Sequence, residues 1–450
     1  MIDRAIRGRR ILTQDGFRPG AVLIQGEKIE AVVGPDEVPA GTQTRECGDL
    51  AVIPALVDTH VHVNEPGHTE WEGFATATAA AAAGGIGTIV DMPLNCLPVT
   101  TSRAALETKL AAISGKLAVD AAFWGGLVPG NRAELAPLAE AGVVGFKCFL
   151  THSGLDEFPN VAREDLDAAM PVIRDLGLPL IVHAELDPCE VAVGDPGLYA
   201  TYLATRPGEM ELRAVRLLIE LCRKHRARTH IVHLSCADAL EDIARAKDEG
   251  LPLTAETCPH YLTFAAEEIA AGATPFKCAP PIRSAQNRER LWEGLGRGVI
   301  DFVVSDHSPC TPELKKLESG DFMGAWGGVA GLQFVLPALW SGAKRRGYGL
   351  ENVARWSAEK TAAFVGLPKG RLEKGRDADV VVLDEAEIFD VSPEEVRHRH
   401  RVTPYLGRRL QGVVAACYLR GTLIEENGRP ASARRGRRLL KRSASWTSPD

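Results

Sequence analysis

Residues 54–67 read PALVDTHVHVNEPG, an apolar run that ends by presenting two histidines. Residues two apart on a β-strand project from the same face, so His60 and His62 can reach one point in space. Asn64 comes next on that face. A strand whose end carries such a pair has the geometry a metal ion requires, and similar strand ends recur down the chain. GVVGFKCFL (142–150), PLIVHAE (179–185), THIVHLS (229–235) and DFVVSDHS (301–308) are short β-branched runs separated by Ala-, Leu-, Glu- and Arg-rich helical stretches. Such alternation calls for parallel strands covered by helices, and over roughly 300 residues the commonest closed solution is a (β/α)8 TIM-like barrel. Catalytic groups collect at the C-terminal strand ends of that fold, where these polar residues sit.

Working outward, both flanks of this α/β region read as β-structure. RRILTQDG and AVLIQGEKIEAVVG lie near the start, GRLEKGRDADVVVLD and GVVAACYLRGTLIEENG near the end. Neither flank can complete a core alone, so residues 1–50 and 369–430 are expected to combine into one small β-sandwich module around a barrel of residues 51–368. The last segment, residues 431–450 (ASARRGRRLLKRSASWTSPD), is basic and lacks an apolar period, which predicts a solvated, disordered tail.

Composition narrows the function. The 450 residues are 45% hydrophobic and 25% charged with a net charge of −7, a soluble globular balance without the basic excess of a nucleic-acid binder. Small or neutral partners fit better. Ten cysteines occur singly with no C-x-x-C pair, several inside apolar runs, which favours reduced buried thiols over a disulfide framework. No run is apolar and long enough for a signal peptide or a membrane span, so a cytoplasmic protein is expected.

The chemistry rests on His60, His62, Lys147, His183, His233 and Asp306. A single histidine on an apolar strand is usually structural; six such residues on five strand ends are not. Lys147, flanked by Gly145, Phe146, Cys148 and Phe149, is costly to bury as a cation unless paired or neutralised. A neutral lysine amine can take up carbon dioxide as a carbamate, whose two oxygens can bridge two divalent metals. The competing reading is a lysine that snorkels to the surface or pairs with an acid. Imidazole and carboxylate ligands suit zinc, with cobalt or manganese as alternatives, in an open catalytic site. Two such ions would hold a bridging hydroxide and polarise a carbonyl, and Asp306 could act first as base and then as acid toward a leaving nitrogen. Its structural alternative is a helix N-cap.

Taken together, VDTHVHVNEPGHTEWEGF, TIVDMPLNCLP, FKCFLTHSG, HIVHLS, ETCPHYL, KCAPPIR, SDHSPC, AWGGVAGLQ, GRDADVVVLD and TPYLGRRLQG resemble the cyclic amidase branch of the amidohydrolase superfamily over nearly the whole chain. Within that branch the resemblance is to the allantoinase family. It implies that His60, His62 and Asp306 hold one metal, His183 and His233 a second, and carbamylated Lys147 bridges them. It also implies hydrolytic opening of allantoin to allantoate, and a homotetramer. His230 and His260 then become structural or supporting groups.

Dihydroorotase-like members carry an arginine where this chain has Asn64, so a neutral ring suits the site better than an anionic one. Hydantoinase-like (dihydropyrimidinase) members carry a tyrosine shortly after the bridging lysine. Here that stretch offers Ser153 or backbone groups instead. Asn95, Ser153, Ala279, Trp326 and Gly327 join Asn64 as candidate substrate contacts. A hydantoin or dihydropyrimidine is the alternative substrate. A non-catalytic scaffold would show gaps in the ligand set, and none appear.

Overall fold

A computed structural model describes residues 2–186, 194–442 and 445–447. Its centre is a ring of parallel strands: Leu56–Val61, Ile86–Asp91, Asp120–Phe123 continuing into Gly125–Gly126, Phe146–Phe149, Leu180–His183, Thr229–Ile231, Leu253–Thr257 and Phe302–Val303. The ring closes where the His62 amide donates to the His307 carbonyl at 2.8 Å and the Asp58 carboxylate accepts the Ser305 amide at 3.0 Å. Asp58 therefore joins the first strand to the last. Nearly every strand position is buried, because helices cover the outside and side chains fill the inside.

The helix Gly208–His225 shows how the covering layer forms. Met210, Ala214, Leu218 and Cys222 recur every fourth residue, with Val215 and Leu221 beside them, and all six are buried as one face. Glu209 and Glu211 occupy the first turn and Arg223, Lys224 and His225 the last, the arrangement the helix dipole favours. The helix ends at Arg226, whose left-handed φ of 54° turns the chain back into the barrel.

Both chain ends build one hydrogen-bonded sheet of nine strands. Arg4–Thr13, Gly16–Gln25 and Lys28–Val33 form its N-terminal part, while Val380–Asp390, Arg409–Leu419 and Thr422–Glu426 form the C-terminal part. Ala51–Pro54 lies between them, parallel to the first strand and antiparallel to Val380–Asp390, so it is the splice between the two flanks. Ile6, Ile11, Val22, Ile24, Val52, Val380, Val382 and Ala416 pack together as its core. A buried ion cluster ties module to barrel: Lys369 Nζ lies 2.5 Å from Asp379 and 3.0 Å from Asp120, which also accepts Arg420.

The tail departs from expectation. Instead of extending into solvent, the Arg437 carbonyl accepts the Ala121 amide, the Leu439 amide donates to Ala121, and the Lys441 amide donates to the Gly142 carbonyl at 2.9 Å. Leu440–Arg442 and Ser445–Thr447 then pair as a short hairpin. Arg437 pairs with Glu27 at 2.6 Å. Gly142 is required here, since a Cβ at that position would stand 2.6 Å from Leu440 Cβ. Main-chain bonds are joined by Leu440 in the barrel core and by Leu439 and Trp446 against a neighbouring cluster, too few apolar residues to set a period in the sequence.

Among the described residues no helix is long and apolar enough to cross a membrane, and nine cysteines are free and buried. Cys189 lies outside the described residues.

Candidate active site

The C-terminal strand ends bring all six expected polar side chains to one buried cluster. His60 Nε2 lies 3.2 Å and His62 Nε2 3.6 Å from Asp306 Oδ1. His183 Nδ1 faces His233 Nε2 at 3.0 Å, and donor atoms of His60, His233 and Asp306 all fall within 4.8 Å of one another. Lys147 stands among them, wholly buried. Two of these residues have left-handed backbone, His233 at φ 39° and Asp306 at 44°, as do the neighbouring Asn64 and Asn95 at 70° and 66°. Strain of this kind persists only where surrounding structure enforces it, and it gathers at functional sites.

Three of the four histidines, His60, His62 and His183, are oriented from behind. His60 Nδ1 meets Glu256 at 2.5 Å, and the same carboxylate reaches His230 Nε2 at 3.1 Å. His62 Nδ1 meets the Asn95 amide at 3.2 Å; His183 Nε2 meets Glu185 at 2.7 Å, and Glu185 is held by Arg206 at 2.5 Å. These partners occupy the outer nitrogens and leave His60 Nε2, His62 Nε2 and His183 Nδ1 facing the cluster. Burial pushes all four imidazoles below their ordinary range; the Lys147 charge adds to this at His60 and His62, and the His183 charge at His233. They are neutral at pH 7, the form that binds metal.

Burial also lowers the Lys147 pKa and raises that of Asp306. His60 Nε2, Lys147 Nζ and His233 Nδ1 are buried without any hydrogen-bond partner. Buried polar atoms are ordinarily paired, so three orphans in one cluster of neutral imidazoles and a carboxylate fit a metal centre.

The cluster floors a cavity of about 600 Å³ whose walls include Asn95, Ser153, Ala279, Trp326 and Gly327. Three of these expected contacts carry other duties. The Ser153 hydroxyl donates to the Phe158 carbonyl at 2.6 Å, Asn95 braces His62, and Trp326 packs edge-on against Trp71. Asn64 does not line the cavity: its amide donates to the Pro309 carbonyl at 3.2 Å, fixing the loop after the last strand. Its left-handed backbone turns it away from the face it would share with His60 and His62 in a continuing strand.

Sequence reasoning does not single out Glu185, Glu256, Asp58 or Arg206. An acid two residues beyond a strand-end histidine, as in HAE, is the signal for Glu185, since both lie on one face. For Glu256 the signal is an acid in register beside such strands.

A closed parallel barrel with a histidine, lysine and aspartate cluster at its C-terminal rim defines the class, and the amidohydrolase family profile matches residues 51–421. The chain belongs to the amidohydrolase family. Allantoinases are among its curated relatives. That of Streptomyces avermitilis is 51% identical over 95% of this chain and 96% of the relative. Those of Arabidopsis thaliana and Escherichia coli (strain SE11) are 43% identical over 95% and 89%, and 37% identical over 98% and 99%. Among solved structures, L-hydantoinase (dihydropyrimidinase) from Arthrobacter aurescens superposes with a TM-score of 0.91 at 30% identity, covering 98% of this chain and all of that one.

Proposed function

We propose that the protein opens the hydantoin ring of allantoin by hydrolysis, giving allantoate. The observation that carries this reading is near-full-length identity of 37–51% to curated allantoinases, combined with an unbroken set of six polar residues at the strand ends. The hydantoinase likeness is one of fold at lower identity.

In this reading His60, His62 and Asp306 would hold one divalent ion, His183 and His233 a second, and a carbamate on Lys147 would bridge them. Zinc is the first expectation, with cobalt or manganese as alternatives. The bound ions would supply an activated water near neutral pH and polarise the carbonyl under attack. Burial of Lys147 supports the modification, because the neutral amine is the form that adds carbon dioxide with loss of a proton. Asp306 takes the proton from the attacking water and delivers it to the ring nitrogen as the C–N bond breaks. Glu256, Asn95 and Glu185 keep the three histidine rings in place. A cytoplasmic homotetramer completes the reading; nine buried free thiols are consistent with a reducing compartment.

Steady-state hydrolysis of allantoin, hydantoin, dihydrouracil and dihydroorotate by one metal-analysed preparation tests it. Preference for allantoin with close to two metals per chain is expected. Preference for hydantoin or dihydrouracil would refute the substrate while keeping the chemistry.

A further inference from the structure

The polar groups lining the cavity differ in whether their hydrogen bonds are already committed. The Lys277 ammonium donates to the Met323 and Ala325 carbonyls, and Lys315 behind it donates to Lys277, Trp326 and Gly328. Ser153 is spent within its own loop and Ser308 on Asp306. Arg206 is different. It caps the helix Tyr199–Thr205 and lines the cavity, and its Nη1 donates to Glu185 at 2.5 Å. Its Nε and Nη2 make no hydrogen bond to any described residue, so among the described residues much of its five-donor fork has no protein partner.

Position adds to this. The side chains of His60, His62 and His183 are 1–6% exposed and that of Glu185 is fully buried, whereas Arg206 is 24% exposed. Arg206 lines the same cavity as His60, His62, His183 and His233, so a substituent on a ring held at the histidines has Arg206 within the same enclosed space. The Arg206–Glu185 pair carries no net charge, so the spare donors suit a neutral carbonyl group. A planar guanidinium whose one edge is pinned by a buried carboxylate offers its other N–H groups at little entropic cost.

We infer that Arg206 is a specificity-determining residue that donates hydrogen bonds to the carbonyl of a urea group carried outside the ring being opened. The inference rests on the ureide reading above and assigns the residue that recognises the part of allantoin that hydantoin lacks.

The test compares wild type, Arg206→Gln and Arg206→Lys. It measures kcat/KM for allantoin, the inhibition constant of hydantoin as a competitor, and metal content per chain. Arg206→Gln is expected to lower kcat/KM for allantoin about 10- to 100-fold, chiefly through KM, and to weaken hydantoin several-fold less. Metal content, measured at saturating metal, should stay at the wild-type value. Arg206→Lys keeps a cation beside Glu185 but loses the fork, so it should remain impaired on allantoin. Full recovery in Arg206→Lys, proportional losses for both ligands, or loss of metal in Arg206→Gln would each overturn the assignment and leave Arg206 a partner of Glu185 alone. Failure of the wild type to hydrolyse allantoin would instead remove the substrate reading, and this inference with it.

Discussion

Replacing Glu185 by glutamine removes one negative charge from behind His183 while keeping the side chain's shape. In the wild type the carboxylate accepts His183 Nε2 at 2.7 Å with side-chain exposures of 0% and 6%, and it also accepts Arg206. A charge-assisted hydrogen bond in such surroundings contributes about 1.5–3 kcal/mol. Losing a group that orients a metal-binding histidine typically costs about 10- to 100-fold in metal affinity, which is the same energy range. Glu185→Gln should therefore bind metal about 10- to 100-fold more weakly in a chelator competition, with turnover recovering at excess metal. The pH dependence follows from the same contacts. Burial works to raise the Glu185 pKa, but the Arg206 charge and the His183 bond outweigh it and leave it below the ordinary glutamate value. A depressed carboxylate stabilises the fold fully above about pH 4.3 and loses that contribution as pH falls through its folded value. The stability difference between wild type and Glu185→Gln should be flat above about pH 5 and shrink on acidification. Wild-type metal affinity with turnover lost would refute the orienting role and place Glu185 on the substrate side.

Lys147→Ala should lose both bound metal and activity, measured by elemental analysis and allantoin turnover, and full activity would rule out the bridging role. Asp306→Asn should fold normally by circular dichroism yet turn over about two to four powers of ten more slowly, the range for a lost proton shuttle and ligand. Lys369→Met removes a cation that is 1% exposed from between Asp120 and Asp379 and leaves both carboxylates buried. It should cost about 3–5 kcal/mol in urea unfolding, and a loss below about 1 kcal/mol would show the cluster to be dispensable.

The barrel and its six polar strand ends were legible because strand periodicity is local: an apolar run that stops at a histidine, lysine or aspartate records both the element and the direction of its last side chain. The supporting groups were less legible, because Glu256 serves His60 across 196 positions of sequence and a carboxylate on a strand looks the same whether it braces a ligand or not. The direction of Asn64 was less legible for a related reason. Its place two residues beyond His62 puts it on the shared face only if the strand continues, and the left-handed turn at φ 70° sends its amide to Pro309. The tail misled because its anchors are main-chain bonds, three apolar side chains without a period, and polar side chains with distant partners, such as Arg437 with Glu27, 410 residues away in sequence.

Sequence by itself pointed to the class of chemistry: histidines, a lysine and an aspartate that each end an apolar strand are a donor set suited to divalent metals. Tertiary structure alone decided which nitrogens face inward, which acids hold them there, and that Arg206 Nε and Nη2 have no partner among the described residues. Those properties depend on distances of about 3 Å between atoms far apart in the chain, and hydrogen-bond direction is fixed only when the strands have closed into a ring.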